Sequence, residues 1–244
     1  MKQKIPILIA LLIFITAGLF AITAEEIIIK MELNLVYNTA IVEGRMVIND
    51  RFGTRTSTYI SYAEGEEKSL LEFTNIEDAG QKILRLKDEI YLYYPDAEET
   101  IRLQGAALRQ AVMGSDFSYE DMTGDKGILD SYAVTLDGEG TVDGFPCYIL
   151  TLTAKTRDVP YQKEIMWVDK ELFIYRQVHK LAKSGKLLKE MKVMDLIKID
   201  GLYIPSRLIM VDKLKRNSST EFYMDSIELG VDLPVDIFTL AELW

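Results

Sequence analysis

The sequence predicts a mainly β protein built on a single antiparallel sheet. From Thr39 onward, short runs of alternating apolar and polar residues recur, and Val42, Met46 and Ile48 share one side of the first run. Turn residues such as those at 49–53 separate the runs, which indicates a meander of sequential hairpins. The runs amount to roughly ten strands, too many for a flat sheet, so we expect the sheet to curl.

The first 24 residues have the composition of a secretory signal. Lys2 and Lys4 precede an apolar run, and the stretch 21–24 offers a small residue for cleavage before Glu25. Residues 5–22 span 18 positions, the lower limit for crossing a bilayer, so an uncleaved anchor is the alternative. We predict a signal peptide over residues 1–24 and one domain over residues 25–244.

Charge and cysteine content limit the classes of partner and the means of stabilisation. The net charge is −10, and it becomes −12 without residues 1–24, which carry two lysines and no acidic residue. Such a surface repels phosphates, so we expect no nucleic-acid partner. Cys147 is the single cysteine, which excludes an internal disulfide. The chain, 48% hydrophobic, must therefore be held together by its core.

Residues 25–38 fit two kinds of secondary structure. The alternation from Ile29 to Leu35 is typical of a strand, whereas Ile27, Met31 and Leu35 lie on one face of a helix. Two acidic residues at the start favour a helix N-terminus. We predict a helix.

A segment of different composition separates two series of strands. Residues 103–113 are rich in alanine and leucine, as helices are, and residues 114–122 are aromatic and acidic. In the simplest interpretation Phe117 and Tyr119 plug a core while the acidic residues cap helical turns. A lid over a cavity and an acidic metal site are the alternatives. The acidic residues are Asp116, Glu120, Asp121 and Asp125, which lack the spacing and turn glycine of a calcium loop.

The inventory of catalytic groups is small. His179 is the only histidine and lies in a predicted strand, where we expect an exposed residue rather than a general base. One histidine and one cysteine exclude a zinc site built from these residues. Two carboxylates distant in sequence would suffice for a hydrolase of envelope polymers, and this hypothesis stays open. We predict no catalytic residue, no metal and no cofactor.

Methionines occupy strand positions where β-branched residues are usual. Their flexible thioethers either fill gaps in an ordinary core or line a concave surface that accepts an acyl chain. Each buried methylene contributes about 0.8 kcal/mol, so a long chain would contribute on the order of 10 kcal/mol. These residues are Met46, Met166, Met191, Met194, Met210 and Met224.

Five stretches together resemble the outer-membrane lipoprotein-sorting proteins, the LolA/LolB-like carriers of the bacterial periplasm, as a divergent branch. The most specific is GSDFSYED at 114–121; the others are YLYYP at 91–95, VDG at 142–144, WVDK at 167–170 and FTL at 238–240. The resemblance implies an unclosed, strongly curved antiparallel half-barrel with helices across its open side. It also implies an apolar cavity for acyl chains and no catalytic residues.

The leading hypothesis is a periplasmic carrier that binds the acyl chains of lipoproteins or other lipids and delivers them toward the outer membrane. We expect a monomer whose partners are its cargo and membrane-bound donor and acceptor proteins. The alternative is an envelope sensor or scaffold that binds a protein partner with the same sheet. The predicted cavity lining is Met46, Ile48, Leu71, Phe73, Leu84, Leu86, Met166 and Met210, with Phe117 and Tyr119 in the lid.

Overall fold

The protein is described by a computed structural model that covers residues 22–34, 37–65, 67–87, 89–122 and 127–244. One antiparallel sheet of 13 strands dominates these residues, which confirms the predicted mainly β class. The strands are β1 (Thr39–Asp50), β2 (Gly53–Glu64), β3 (Lys68–Phe73), β4 (Lys82–Leu86), β5 (Glu89–Tyr94), β6 (Glu99–Leu103), β7 (Tyr132–Val142), β8 (Phe145–Ala154), β9 (Lys163–Asp169), β10 (Tyr175–Leu181), β11 (Leu187–Ile199), β12 (Leu202–Asp212) and β13 (Ser219–Leu229).

The sheet consists of two meanders joined side by side. Strands β1 to β6 follow one another outward from the centre, and β7 to β13 return from the opposite edge until β13 pairs with β1. In this order β6 and β7 form the two edges and do not pair with each other. The sheet is therefore not closed into a barrel, as predicted.

In the described part of the chain, three short α-helices accompany the sheet: α1 (Ala24–Leu33), α2 (Tyr119–Met122) and α3 (Ile128–Ser131). The predicted helix in residues 25–38 is confirmed by α1. It begins with a capping box, in which the Thr23 hydroxyl accepts from the Glu26 amide and the Glu26 carboxylate accepts from the Thr23 amide. This pair of bonds satisfies two amides that a helix start leaves without partners.

The connection from β6 to β7, residues 104–131, is called the insert. Its described residues pack on one face of the sheet, with Ala107 to Met122 against β1 to β6 and Ile128 and Leu129 against β7 to β10. We call this the inner face. The predicted α-helical stretch at 103–113 forms two 3₁₀ turns instead, Gly105–Arg109 and Val112–Gly114. An extended Gln110 separates the turns, so the alanine-rich composition does not yield a continuous helix.

Two apolar clusters cover the inner face. In the α1 cluster, Ile27 and Ile28 of α1 pack on residues of β7 to β10 such as Leu150 and Val178. In the insert cluster, Val112 and Tyr119 pack on the inner residues of β1 to β6. These sheet residues are Met46, Ile48, Tyr59, Leu71, Phe73, Ile83, Ile90, Leu92 and Leu103.

The C-terminal segment covers part of the opposite, outer face. Near its end this segment forms a 3₁₀ turn, Ala241–Leu243. Leu243 is fully buried against Leu70, Leu84 and Tyr93 of β3 to β5. We call this group the C-terminal cluster. The sheet is thus apolar on both faces at this place, as expected for a strand without polar alternation.

Most of the predicted signal peptide lies in residues 1–21, outside the described residues. Its cleavage and the boundary between residues 24 and 25 stay predictions. Among the residues that the structure describes, none of the helices has both the length and the apolar character that a bilayer crossing needs.

Candidate functional site

A cavity of about 600 Å³ opens between the two inner-face clusters. Its floor is the inner face of the sheet, and α1, α2 and α3 contribute Met31, Met122 and Ile128 to the opposite wall. We call these three helices the roof. A volume of about this size is typical of sites that enclose small molecules.

Small side chains on neighbouring strands leave the space open. Ala40 of β1 pairs with Ala63 of β2, which pairs with Ser69 of β3, so that one row across the sheet contributes little volume. Arg85 of β4 continues this row and lines the cavity wall. A set of small residues in register therefore leaves the cavity open.

Among the residues that the structure describes, five methionines line the cavity, and they come from both the roof and the sheet. Two are roof residues, and three lie on β9, β11 and β13. Flexible thioether side chains adapt to ligands of variable shape, which fits an apolar site without rigid complementarity. The five are Met31, Met122, Met166, Met191 and Met224.

Of the eight residues predicted to line a cavity, Leu71 and Met166 do so. Met46, Ile48 and Phe73 lie on the inner face but belong to the insert cluster, which covers them so that each is at most 2% exposed. The alternation predicted their face correctly, but it carries no information about which part of that face the insert covers.

Met210 also faces inward and is fully buried. It pairs with Met191, a cavity residue, on one side and with Thr220 on the other. It therefore supports the wall next to the cavity rather than forming part of the lining.

Leu84 and Leu86 point the other way, which corrects their predicted position. Leu84 pairs with Leu70, whereas its neighbour Ile83 pairs with the cavity residue Leu71. Both leucines pack in the C-terminal cluster on the outer face. Because β4 carries apolar residues on both faces, Ile83 on the inner face and Leu84 and Leu86 on the outer face, alternation could not decide its register, and a shift of one residue reverses every side chain.

The two predicted lid residues both belong to the covering insert. The Phe117 ring lies 5.8 Å from the ring of Phe222, a cavity residue. Tyr119 is buried in the insert cluster, where burial and then Tyr94 raise the pKa of its phenol. Their part in ligand binding stays a prediction.

A buried charged group at one end of the cavity was not predicted. Lys180 Nζ lies 3.0 Å from Asp121 Oδ1, and Lys189 also donates to this carboxylate. The Tyr161 hydroxyl donates to Asp121 Oδ1 at 2.9 Å, and the Ser118 amide donates to Oδ2 at 2.8 Å. We call these residues the Asp121 cluster. Asp121 is distant in sequence from Tyr161, Lys180 and Lys189, so no local pattern could indicate that these residues meet.

The electrostatics of the Asp121 cluster favour its charged form. Burial alone would raise the pKa of Asp121, but Lys180 and Lys189 outweigh it and hold the pKa well below its ordinary value. For Lys180, burial alone would lower the pKa, but Asp121 and Glu164 raise it well above the ordinary value. The group is thus a compensated ion cluster that holds α2 against β10 and β11.

Asp116 fixes the other end of the insert to the sheet. Its carboxylate accepts from Ser218 Oγ at 2.7 Å and from Thr220 Oγ1 at 3.2 Å, and its amide donates to Thr220 Oγ1 at 2.9 Å. Asp116 is 1% exposed. Its bonds thus reach β13 and do not cap a local turn, which differs from the simplest prediction.

The acidic residues do not form a metal site among the residues with described positions, since no three His, Cys, Asp or Glu side chains come together there. Asp125, one of the predicted candidates, lies outside that part of the chain. The Asp121 carboxylate is already engaged with two lysines. This arrangement does not resemble an oxygen-rich calcium site.

The contacts of His179 are those of a structural residue of the sheet. Its Nε2 lies 2.7 Å from Gln177 Nε2 and 3.8 Å from Glu190, and its ring packs edge-on against Trp167. Burial lowers the pKa of His179 although Glu190 opposes this shift. The residue is half-buried on the sheet rather than exposed as predicted.

Cys147 is buried on β8, and burial raises the pKa of its thiol, which disfavours the reactive thiolate.

Comparison with known proteins identifies the fold. A DUF1329 family protein from Desulfovibrio piger has a TM-score of 0.84 and 23% identity over 91% of this chain and 98% of its own. A domain named for outer-membrane lipoprotein sorting from Vibrio parahaemolyticus has a TM-score of 0.81 and 19% identity over 89% and 97%. A LolA superfamily protein from Nitrosomonas europaea has a TM-score of 0.75 and 26% identity over 91% and 100%.

No curated protein matches the sequence. A family model described as "-like: Uncharacterized protein" matches residues 65–244. This range includes the whole insert and 11 of the 13 strands from β3 onward. The chain therefore belongs to the family of this model, which is a divergent LolA-like family.

Proposed function

We propose that the protein is a periplasmic carrier that holds acyl chains of lipoproteins or other lipids in the cavity and delivers them toward the outer membrane. The observation that carries this proposal is the cavity of about 600 Å³ between the sheet and its roof, with five methionines in its wall. Such a site binds apolar ligands without a catalytic group.

The energetics of chain burial support a carrier. Each methylene moved from water into an apolar site contributes about 0.8 kcal/mol, so a long chain supplies on the order of 10 kcal/mol before the costs of binding. No covalent step is needed to retain such a cargo, and release requires only a competing apolar environment. We therefore propose transport rather than enzymatic turnover.

The predicted signal segment and the surface charge support a role outside the cytoplasm. A net charge of −12 over residues 25–244 repels anionic lipid headgroups, so the protein would not adsorb nonspecifically to membranes. A diffusible carrier between two membranes needs this property. Its donor and acceptor would be membrane-bound proteins.

A matched pair of methionines on one strand tests the proposal. Met191 lines the cavity, whereas Met194 of the same strand is 41% exposed and does not. We expect the delipidated protein to bind a fluorescent fatty acid. Met191→Glu should weaken this binding by about tenfold or more, because it places a charge in the apolar wall. Met194→Glu should leave the binding unchanged. If the folded protein takes up neither a fatty acid nor a lipoprotein, the proposal is contradicted.

A second candidate function is an envelope sensor or scaffold, and one surface feature favours it. Among the described residues, β10 pairs with β11 only as far as Lys192. Beyond this residue, the end of the β11–β12 hairpin pairs only within itself. Met194 and Ile197 are exposed there. If this function is correct, Met194→Glu and Ile197→Glu will abolish crosslinking to a membrane regulator without affecting lipid uptake.

A further inference from the structure

We infer that one end of the sheet is a docking surface for the anionic surface of a lipid bilayer. Three hairpin turns at this end, residues 51–52, 182–186 and 213–218, carry exposed basic side chains, and the first and the last also carry a large exposed apolar side chain. We call these three turns the basic patch. The patch is separate from the cavity, so membrane docking and the cargo binding proposed above succeed or fail independently.

The register of the sheet brings the three turns together. They connect β1 to β2, β10 to β11 and β12 to β13. Asn49 at the end of β1 pairs with Ser219 at the start of β13, and Lys189 near the start of β11 pairs with Asp212 at the end of β12. The three turns therefore extend from the same end of the sheet, although they are distant in sequence.

The basic patch has the opposite charge to the whole chain. Residues 176–216 contain 11 basic and 4 acidic residues, whereas the net charge of the chain is −10. The three turns contain no acidic residue and six exposed basic residues, which are Arg51, Lys183, Lys186, Lys213, Lys215 and Arg216. Lys213 and Lys215 form ion pairs with Glu190 and Asp116. The other four pair with no acidic residue in the described part of the chain, so their charge is available to a partner.

Two apolar side chains project from the patch, and their turns are built alike. Phe52 is 83% exposed and Leu214 is 59% exposed. Each follows a basic residue, which itself follows an aspartate. Asp50 Oδ1 accepts from the Phe52 amide at 2.7 Å, and Asp212 Oδ1 accepts from the Leu214 amide at 2.8 Å. These bonds fix the backbone of both turns, so each turn presents its apolar side chain to the solvent.

Basic residues around separate apolar side chains fit a bilayer surface better than a protein. Interfacial binding combines apolar side chains that enter the headgroup region with basic residues that meet anionic lipids. A protein interface instead has a buried apolar core at its centre. Phe52 and Leu214 lie on different turns and do not form such a core.

The negative net charge does not prevent docking through the patch. Charges on the surface are screened over about 8 Å at physiological ionic strength, so the local charge decides the interaction at contact. The turns after β3 and β5 at the same end are acidic, with Glu77, Asp78, Asp96 and Glu98. We therefore expect the protein to approach an anionic bilayer in one orientation, with the basic patch toward the lipid.

The basic patch adjoins the cover of the cavity. Lys215 donates to the Ser115 carbonyl of the insert. Arg55, close to the β1–β2 turn, donates to the Met113 carbonyl at 2.9 Å. Docking through the patch would thus place the insert, including the Asp121 end of the cavity, beside the bilayer.

Vesicle flotation tests the inference with the protein as the cell processes it. The vesicles contain phosphatidylglycerol and phosphatidylcholine in equal amounts, or phosphatidylcholine alone. We expect binding to the anionic vesicles to be at least about tenfold tighter at about 0.1 M salt. This difference should disappear at about 1 M salt, because the charges are then screened.

Matched pairs of lysines locate the contact. Lys183→Ser combined with Lys186→Ser removes two basic residues from the patch, so binding should weaken about 25-fold, or about fivefold for each charge. Lys87→Ser combined with Lys198→Ser is the control, because both lysines are exposed in turns or strand ends at the opposite end of the sheet and the net charge changes equally. Equal losses for the two pairs would overturn the inference.

The apolar side chains give a second readout. Phe52→Ser and Leu214→Ser should each weaken vesicle binding about tenfold, because each removes an apolar group that would leave water on docking. Ile76→Ser is the control, since Ile76 is 99% exposed but lies in the acidic β3–β4 turn outside the patch. Because all three residues are exposed, we expect the variants to keep the circular dichroism spectrum of the wild type.

Polyglutamate separates a bilayer from an acidic protein segment as the partner. Binding of polyglutamate as tight as that of anionic vesicles, together with no effect of Phe52→Ser on vesicle binding, would assign the patch to an acidic segment and overturn the inference. Equal binding to both kinds of vesicle, or binding to neither, would also overturn it. The uptake of fatty acid by the cavity would be unaffected by any of these results.

Discussion

The two halves of the inner face are covered by different means. Over β7 to β10, α1 is held mainly by apolar packing, with Ile27 and Ile28 fully buried and one capping box at its start. Over β1 to β6, the insert makes apolar contacts such as those of Tyr119, and its polar anchors Asp116 and Asp121 reach β13, β10 and β11.

The difference follows from how each cover is built. A regular helix satisfies its own backbone groups and needs only an apolar side to be held in place. The insert is irregular and has little helical hydrogen bonding, so buried side-chain bonds fix its position. The roof of the cavity therefore depends on hydrophobic burial on one side and on charge on the other.

The largest expected effect is loss of the charge-based anchor. Asp121→Asn leaves Lys180 and Lys189, whose side chains are only 14% and 12% exposed, without their shared carboxylate, so we expect a loss of about 3–5 kcal/mol in the free energy of unfolding. Urea denaturation measures this value. Glu120→Gln is the control on the same helix, and a loss below about 1 kcal/mol for Asp121→Asn would show that the cluster does not hold the insert.

A slightly smaller loss is expected on the packed side. Ile28→Ala removes a fully buried side chain from the α1 cluster and should cost about 2–4 kcal/mol through lost burial and the cavity that remains. Ile29→Ala is the matched control, because Ile29 is 49% exposed on the same helix. Equal losses for the two variants would contradict the packing of α1.

Acid should weaken the Asp121 anchor, but only at low pH. The pKa of Asp121 is lower in the folded than in the unfolded protein, so its stabilising contribution is present above the unfolded value of about 3.9 and is lost as pH falls below it. The difference between wild type and Asp121→Asn should therefore be constant from pH 7 to about 5 and shrink below about 4.

Denaturation at a series of pH values tests this dependence. A difference that stays constant down to pH 2 would exclude Asp121 as the titrating anchor.

The smallest effect is expected at the start of α1. In the uncleaved full-length chain, which retains Thr23, Thr23→Ala removes the side chain that accepts from the Glu26 amide, which should cost about 1 kcal/mol. Thr23→Ser keeps the acceptor and should restore stability. If Thr23→Ala and Thr23→Ser behave alike in thermal denaturation, the capping box does not contribute.

The sequence was informative where a structural preference is local. Alternation from Val42 to Ile48 placed the strand and its inner face correctly, and the acidic start of residues 25–38 identified α1. Alternation failed at Leu84 and Leu86, because β4 packs against apolar groups on both faces.

The candidate site was less predictable because it depends on contacts between distant residues. Asp121 meets Lys180 and Lys189 only after the sheet has formed, and the spacing of these residues carries no sign of it. The row of Ala40, Ala63 and Ser69 becomes a hollow only in the observed register. Small residues read one at a time do not predict a cavity.

Photolabelling tests the central claim most directly. A photoreactive fatty acid bound to the delipidated protein, followed by peptide mass spectrometry, identifies which residues surround the chain. We expect labels on Met31, Met166 and Met191, which surround the cavity, and their loss when excess oleate competes. Labels confined to exposed residues such as Phe52 and Trp244, or labels that oleate does not displace, would contradict an acyl chain bound inside the cavity.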